Sequence, residues 1–247
     1  MKLLPLSMNE LKNSKIIYKR YEEYILKGFY PEIYNKGLQP EDFYPSYIQT
    51  YIERDVRQIK NITDISLFTA FLKICAGRTG QLINLTSLAA DCGITHKTAG
   101  AWLSVLEASY IIYLIHPYFR NFTKRLVKMP KLYFYDTGVA CSLLEIESAT
   151  QLSTHYQRGA LFENFILNEL LKKRFNRGKI SNIYFWRDKL GREIDCITEK
   201  ANAPIAVEIK AGRTFNDDFL NNLKYWNKLS ENNSKNSYLV YGGDFSI

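Results

Sequence analysis

The run Ile205-Ala206-Val207-Glu208-Ile209-Lys210 constrains this chain more than any other stretch. It is written like a strand buried on both faces, yet a carboxylate and an ammonium interrupt it. Glu208 and Lys210 stand at i and i+2, so they share one face of the strand, while Ile209 points to the opposite, packed layer. Burying two charges there is costly unless they pair with each other or bind a metal. Just upstream, Glu193-Ile194-Asp195-Cys196-Ile197 reads as a second apolar-flanked strand, joined to the first by a turn over Ala201 to Pro204. Two adjacent strands can bring Asp195 and Glu208 within reach of one ion, with Lys210 beside them to orient water or hold a phosphate. The bland alternative is a structural ion pair, since an Asp…Glu-x-Lys triple is weak when taken alone.

The elements around this constellation alternate. A strand over Lys131 to Tyr135 precedes a strong amphipathic helix over Gly159 to Phe175, which carries Glu163. A strand over Asn182 to Arg187 turns through Asp188 to Gly191 into Glu193 to Thr198. A helix over Asn216 to Leu229 and a strand over Tyr238 to Tyr241 close the chain. Hydrolysis of a phosphodiester assisted by Mg2+ or Mn2+ needs hard oxygen ligands and a cation near the developing charge. Asp195, Glu208 and Glu163 are the candidate metal ligands and Lys210 the candidate catalytic cation. Arg187 and Arg192 lie beside them to hold backbone phosphates.

Upstream, a short helix over Leu85 to Asp91, a turn at Cys92-Gly93-Ile94 and a helix capped by Thr95 have the spacing of a helix-turn-helix. Ala89 is small enough for close helix crossing, and Val105 fits the apolar seat on the second helix. Asp64 caps a preceding helix that runs through Ala76. The β-rich segment Tyr110 to Tyr118, with Arg120, Lys124, Arg125 and Lys128 around it, completes a winged-helix-like region over residues 62–125. His96, Lys97 and Thr98 open its second helix, where base and phosphate contacts are usually made. The alternative is a winged helix used for packing or protein contacts, which Trp102 and the few cations of that helix favour. Residues 1–61 are rich in tyrosine. The turn signals at Lys27 to Pro31 and Gly37 to Pro40 split them into short helices, and Ser46 to Lys60 has helical apolar spacing. These tyrosines either pack those helices or form an interaction surface.

Bulk properties limit the partners. A net charge of +8 and a pI of about 9.1 favour polyanions, with DNA the expected one. No stretch approaches the roughly 20 apolar residues of a membrane span; the longest candidate, Ala108 to His116, is short. Met1 to Ser7 is no signal peptide. The four cysteines, Cys75, Cys92, Cys141 and Cys196, form no CxxC pair, which argues against a zinc site or a disulfide framework. Together these features point to a reducing, cytoplasmic compartment and no membrane partner.

Residues 126–247 resemble the PD-(D/E)XK nuclease superfamily. That resemblance implies an α-β-β-β-α-β core with Glu163, Asp195, Glu208 and Lys210 as its acidic and basic site residues, although Ile194 stands where the naming proline would be. The segments Leu3-Leu4-Pro5-Leu6-Ser7, Gly28-Phe29-Tyr30-Pro31-Glu32, Tyr51-Ile52-Glu53-Arg54-Asp55-Val56, Lys131 to Gly138, Arg158 to Asn164, and Phe185-Trp186-Arg187 with Glu193-Ile194-Asp195 run over nearly all the chain. Together they resemble the C-terminal part of a bacterial and archaeal group of AAA+-type ATPases that carry a C-terminal domain of uncharacterised function. The P-loop core of those ATPases is absent here, by natural truncation or by design: Gly77-Arg78-Thr79-Gly80 lacks the Lys-Ser/Thr that holds phosphate and Mg2+. No ATP binding or hydrolysis is expected from this chain alone. The expected fold is a helical region (residues 1–61, a remnant or lid of an ATPase module), the winged-helix-like domain (62–125) and a restriction-endonuclease-like α/β domain (126–247). The expected function is metal-dependent DNA cleavage, or else non-catalytic binding of DNA or protein on behalf of an ATPase. An ATPase module or a second copy of the chain is a further candidate partner.

Overall fold

Tyrosines that the sequence concentrates in its first 51 residues turn out to be mortar. In the computed structural model, which describes residues 2–51, 64–118, 127–200, 203–231 and 234–244, Tyr24, Tyr44 and Tyr51 are buried. Tyr30 and Tyr47 share a hydroxyl–hydroxyl contact of 2.6 Å and pack their rings together. They join four short helices: α1 (Met8–Asn13), α2 (Tyr21–Lys27), α3 (Pro31–Lys36) and α4 (Pro40–Tyr51). Packing is therefore the role these side chains have in the structure. Helix α4 begins at Pro40, not Ser46. The ring presets the backbone for a first turn, and Gly37, left-handed at φ 64°, ends α3 just before it. The continuation of that helix to Lys60 lies outside the described residues.

Three helices follow: α5 (Ile65–Gly77), α6 (Leu85–Cys92) and α7 (His96–Ala108). Asp64 caps α5 by accepting from the Leu67 amide, and Thr95 caps α7 through the Thr98 amide. The cap of α6 is Asn84, which accepts from Thr86 and Ser87. Gly93, at φ 69°, makes the left-handed turn between α6 and α7. Ala89 and Val105 are buried where expected, and Trp102 packs edge-on against Phe68 and Phe71 of α5. Strand β1 (Ile112–Ile115) pairs antiparallel with β2 (Lys131–Phe134), with Ile112 opposite Phe134. Arg120, Lys124 and Arg125, expected between them, lie outside the described residues.

After β2 come α8 (Thr137–Leu143) and α9 (Ala149–Thr154), neither of which the sequence reading anticipated, and the long α10 (Arg158–Phe175). A four-stranded sheet then forms in the order β3 (Tyr184–Arg187), β4 (Glu193–Lys200), β5 (Ala203–Lys210), β6 (Ser237–Tyr241). The first two pairings are antiparallel and the last is parallel. Between β5 and β6 the chain passes through a 3-10 turn, Asp217–Leu220, and α11 (Asn221–Ser230). The described residues form a mixed α+β fold of about 52% helix and 16% strand.

One hydrophobic core runs from Leu11 in the first helix to Ala211 after β5, and α10 supplies Leu161, Phe162, Phe165 and Leu171 to it. A smaller cluster of Trp186, Ile194, Ile197, Ala206, Leu223 and Trp226 forms beneath α11. Two polar joints tie the early helices to later segments. Buried Asp136 caps α8 and also accepts from the Phe29 amide (2.7 Å) and the Tyr44 hydroxyl (2.8 Å). Gly28 and Gly138 leave room for that tyrosine, since a Cβ at either would overlap it. The second joint is buried Glu22 of α2, which accepts two bonds from Arg213 (3.0 and 2.8 Å), while the Tyr21 hydroxyl donates to the Ala211 carbonyl at 2.9 Å.

Candidate functional site

The ends of three strands and one helix meet at a group of carboxylates. In β4, Glu193 and Asp195 flank Ile194, so both leave the strand on the same side. In α10, Glu163 sits within the first two turns. Single oxygens of Glu163, Glu193 and Asp195 lie within 4.8 Å of one another. The β4–β5 register, Cys196 opposite Val207, brings Asp195 abreast of Glu208, and the Ile209 amide donates to Asp195 Oδ2 at 2.7 Å.

Glu208 stays outside that trio, because its carboxylate is held elsewhere. Lys210 Nζ donates to its Oε1 at 2.6 Å and the Asn222 amide of α11 at 3.1 Å. Its other oxygen, Oε2, is buried without a hydrogen-bond partner among the described residues. Lys210 also reaches Asp195 Oδ2 at 3.8 Å, so it bridges the two carboxylates. The pair Glu208 and Lys210 expected on one strand face is thus in place, with the lysine between Glu208 and the trio.

Three residues at this site went unread in the sequence: Glu193, Lys131 and Tyr133. Lys131 opens β2 and is buried, with its ammonium 3.1 Å from Glu163 Oε1 and in contact with Glu193 Oε1. The Tyr133 hydroxyl donates to Glu163 Oε1. A charged residue heading a wholly buried strand was the available signal; it is the same signal that singled out Glu208 and Lys210.

Charge balance explains the protonation tendencies. Burial, then the neighbouring Glu163 and Glu208, push the Asp195 carboxyl well above its ordinary range, against the pull of Lys210 and Lys131. Burial raises Glu208 as well, and Lys210 and Asn222 only partly offset this. Burial would lower both lysines, but the surrounding carboxylates outweigh it and raise them. Both ammonium groups are therefore fixed as cations, and Asp195 and Glu208 are carboxyls that give up their protons less readily than usual.

The two arginines at the rim are already engaged. Arg187 contacts Glu193 Oε2 at 3.2 Å, and Arg192 lies 4.2 Å over the Tyr225 ring and 3.9 Å from Asp188. Away from this site, His96 and Lys97 are exposed in the first turn of α7. The Thr98 hydroxyl is 2.8 Å from that of Thr95, within the cap. Among the described residues, no helix is long and apolar enough to cross a membrane.

The donor set suits a hard divalent cation: the trio offers carboxylate oxygens from α10 and β4, and beside it Glu208 has a buried oxygen with no hydrogen-bond partner among the described residues. Lys131 fits the same electrostatic need from within the fold.

Comparison with known proteins places two domains on the chain. A family model described as a domain of unknown function (DUF8612) matches residues 18–150, and another described as a domain of unknown function (DUF4143), found in AAA-ATPase-associated proteins, matches residues 158–247. Among curated proteins, uncharacterized proteins of Mycobacterium bovis and of Mycobacterium tuberculosis are each 29% identical over 168 residues. Those alignments cover 68% of this chain and 37% of either relative, so the chain spans little more than a third of their length. No solved structure matches it.

Proposed function

We propose, from the premise that this chain belongs to the DUF8612 family and carries a DUF4143 domain behind it, that its C-terminal α/β part is a metal-dependent site for phosphodiester hydrolysis in DNA. The observation that carries the reading is the meeting of Glu163, Glu193 and Asp195 within 4.8 Å beside the bridging Lys210. The succession α10, β3, β4, β5, α11, β6 supports a nuclease-like core of the PD-(D/E)XK kind.

The three carboxylates would hold Mg2+ or Mn2+, which supplies Lewis acidity toward a phosphoryl oxygen and lowers the pKa of its bound water. Lys210, fixed as a cation, holds the phosphate or orients the attacking water. Asn222 keeps Glu208 turned toward Lys210. Arg187 and Arg192 contribute to backbone binding by exchanging their present partners for phosphate. Cleavage of plasmid and linear DNA with Mg2+ or Mn2+ tests the reading. Asp195→Ala and Lys210→Ala should each lose about a hundredfold or more, the scale of removing a group that stabilises the transition state. Equal cleavage by wild type and Asp195→Ala defeats it.

Lys131 favours a second reading. A buried ammonium that already pairs with Glu163 and Glu193 offsets part of their charge without a metal. On that reading the chain is a non-catalytic module that binds DNA or protein on behalf of an ATPase, with the first turn of α7 as one contact. DNA retention without cleavage under any divalent ion distinguishes it.

A further inference from the structure

At the end of the sheet away from the carboxylates, α10 and the strands enclose a groove of about 510 Å³. Lys173, Arg174, Arg177, Lys179 and Lys200 line it, against a single carboxylate, Glu199. That is four net positive charges, half of the +8 carried by the whole chain. We propose that this groove is a binding site for the phosphate backbone of nucleic acid, separate from the carboxylate site and independent of it.

The cations come from three pieces of structure, so no one local rule accounts for them. Basic residues in the last turn of a helix offset its dipole, and α10 has three there: Lys172, Lys173 and Arg174. Lys172 turns inward, 3.7 Å over the Phe29 ring and 3.1 Å from Glu169. Arg174 spends its Nε on the Ile180 carbonyl at 2.8 Å, which shapes the loop after the helix. Lys173 faces out with Arg177 and Lys179 of that loop and Lys200 at the end of β4, all exposed. None of these four has a carboxylate partner among the described residues. Glu199 offsets one of the five charges, and its Oε1 accepts from the Tyr118 hydroxyl at 2.7 Å, so four positive charges remain in excess.

Like charges gathered without counter-ions repel, and a concave arrangement focuses their field on whatever polyanion enters. A phosphodiester chain can follow a groove that a planar vesicle surface cannot fill, so nucleic acid is the fitting occupant. Lys173 follows Glu163 by ten residues on the same helix, which at 1.5 Å per residue puts about 15 Å between the two sites. The groove therefore needs neither a metal nor an active carboxylate site, and it adds an anchor remote from the chemistry.

The test is binding of a fluorescent 20-mer, single-stranded and duplex, in EDTA over a salt series. The triple variant Lys173→Ala, Arg177→Ala, Lys179→Ala is compared with the wild type. If each cation neutralises one phosphate, the slope of log affinity against log salt falls by about 2–3 and affinity drops at least tenfold at low salt. The pair Lys173→Arg, Lys179→Arg should bind like the wild type, and all variants should melt with it, since these side chains are exposed. An unchanged slope in the triple variant overturns the proposal, as does retention on phosphatidylserine vesicles or an acidic peptide with no nucleic-acid binding. Because no cleavage is read, its outcome is independent of the Asp195→Ala experiment.

Discussion

Replacing Lys131 by methionine separates the two readings of the carboxylate site. The substitution keeps roughly the same length and removes one charge. Lys131 is 3% exposed and its partners Glu163 and Glu193 are 14% and 17% exposed, so water screens this ion pair poorly. Breaking a buried pair from one side costs about 3–5 kcal/mol, because the remaining charge is left uncompensated. In a chain of this size each kcal/mol moves Tm by about 2–4 °C, so Lys131→Met should melt roughly 6–20 °C lower in EDTA. Glu193→Gln in the same background should recover part of that loss by removing one of the stranded carboxylates. Divalent ions then decide. If the trio is a cation site, Mn2+ at a hundred times its Kd restores about 2.7 kcal/mol, and the shift in Lys131→Met exceeds that in the wild type. Differential scanning fluorimetry with and without Mn2+ reads all of this. A melting point for Lys131→Met within 2 °C of the wild type in EDTA refutes the counter-ion role. No Mn2+ shift in either protein refutes the trio as a cation site.

Two further outcomes follow from burial. The folded state raises the Asp195 pKa, so its ionisation opposes folding: the stability it lends is complete below the ordinary carboxylate range and is lost as pH rises toward the raised value. Asp195→Asn, whose Oδ1 can still accept from Ile209, should therefore melt on the order of 2–4 °C above the wild type at pH 8 in EDTA, with the gap closing near pH 4; a constant gap would contradict the assignment. Gly138→Ala should lose about 1–3 kcal/mol by overpacking against the Tyr44 ring, and an unchanged urea midpoint would show that Tyr44 is not wedged there.

What the sequence disclosed depended on how local the signal was. Helix ends with Asp64 or Thr95 before an apolar run were legible, since the cap and the helix lie within four residues of each other. Glu208 and Lys210 were legible because charges in an apolar strand announce a constraint. Glu193 was missed although it alternates with Asp195 about the same isoleucine. Lys131 was missed because its partners lie 32 and 62 residues away. Helix α8 was hidden for another reason. Thr137-Gly138-Val139-Ala140-Cys141-Ser142-Leu143 has little helical propensity, and burial of most of its residues together with the Asp136 cap decides its form. The pairing of β1 with β2 bridges a long connection that no pattern within either strand encodes.

The joint between α2 and the end of β5 carries a mechanical meaning. Glu22 grips Arg213 and Tyr21 grips the Ala211 carbonyl, three and one residues beyond Lys210 respectively. The early helix and the lysine that bridges Asp195 and Glu208 are thus linked through a very short length of backbone. The seating of α2 and the placement of that ammonium therefore depend on the same few residues of backbone.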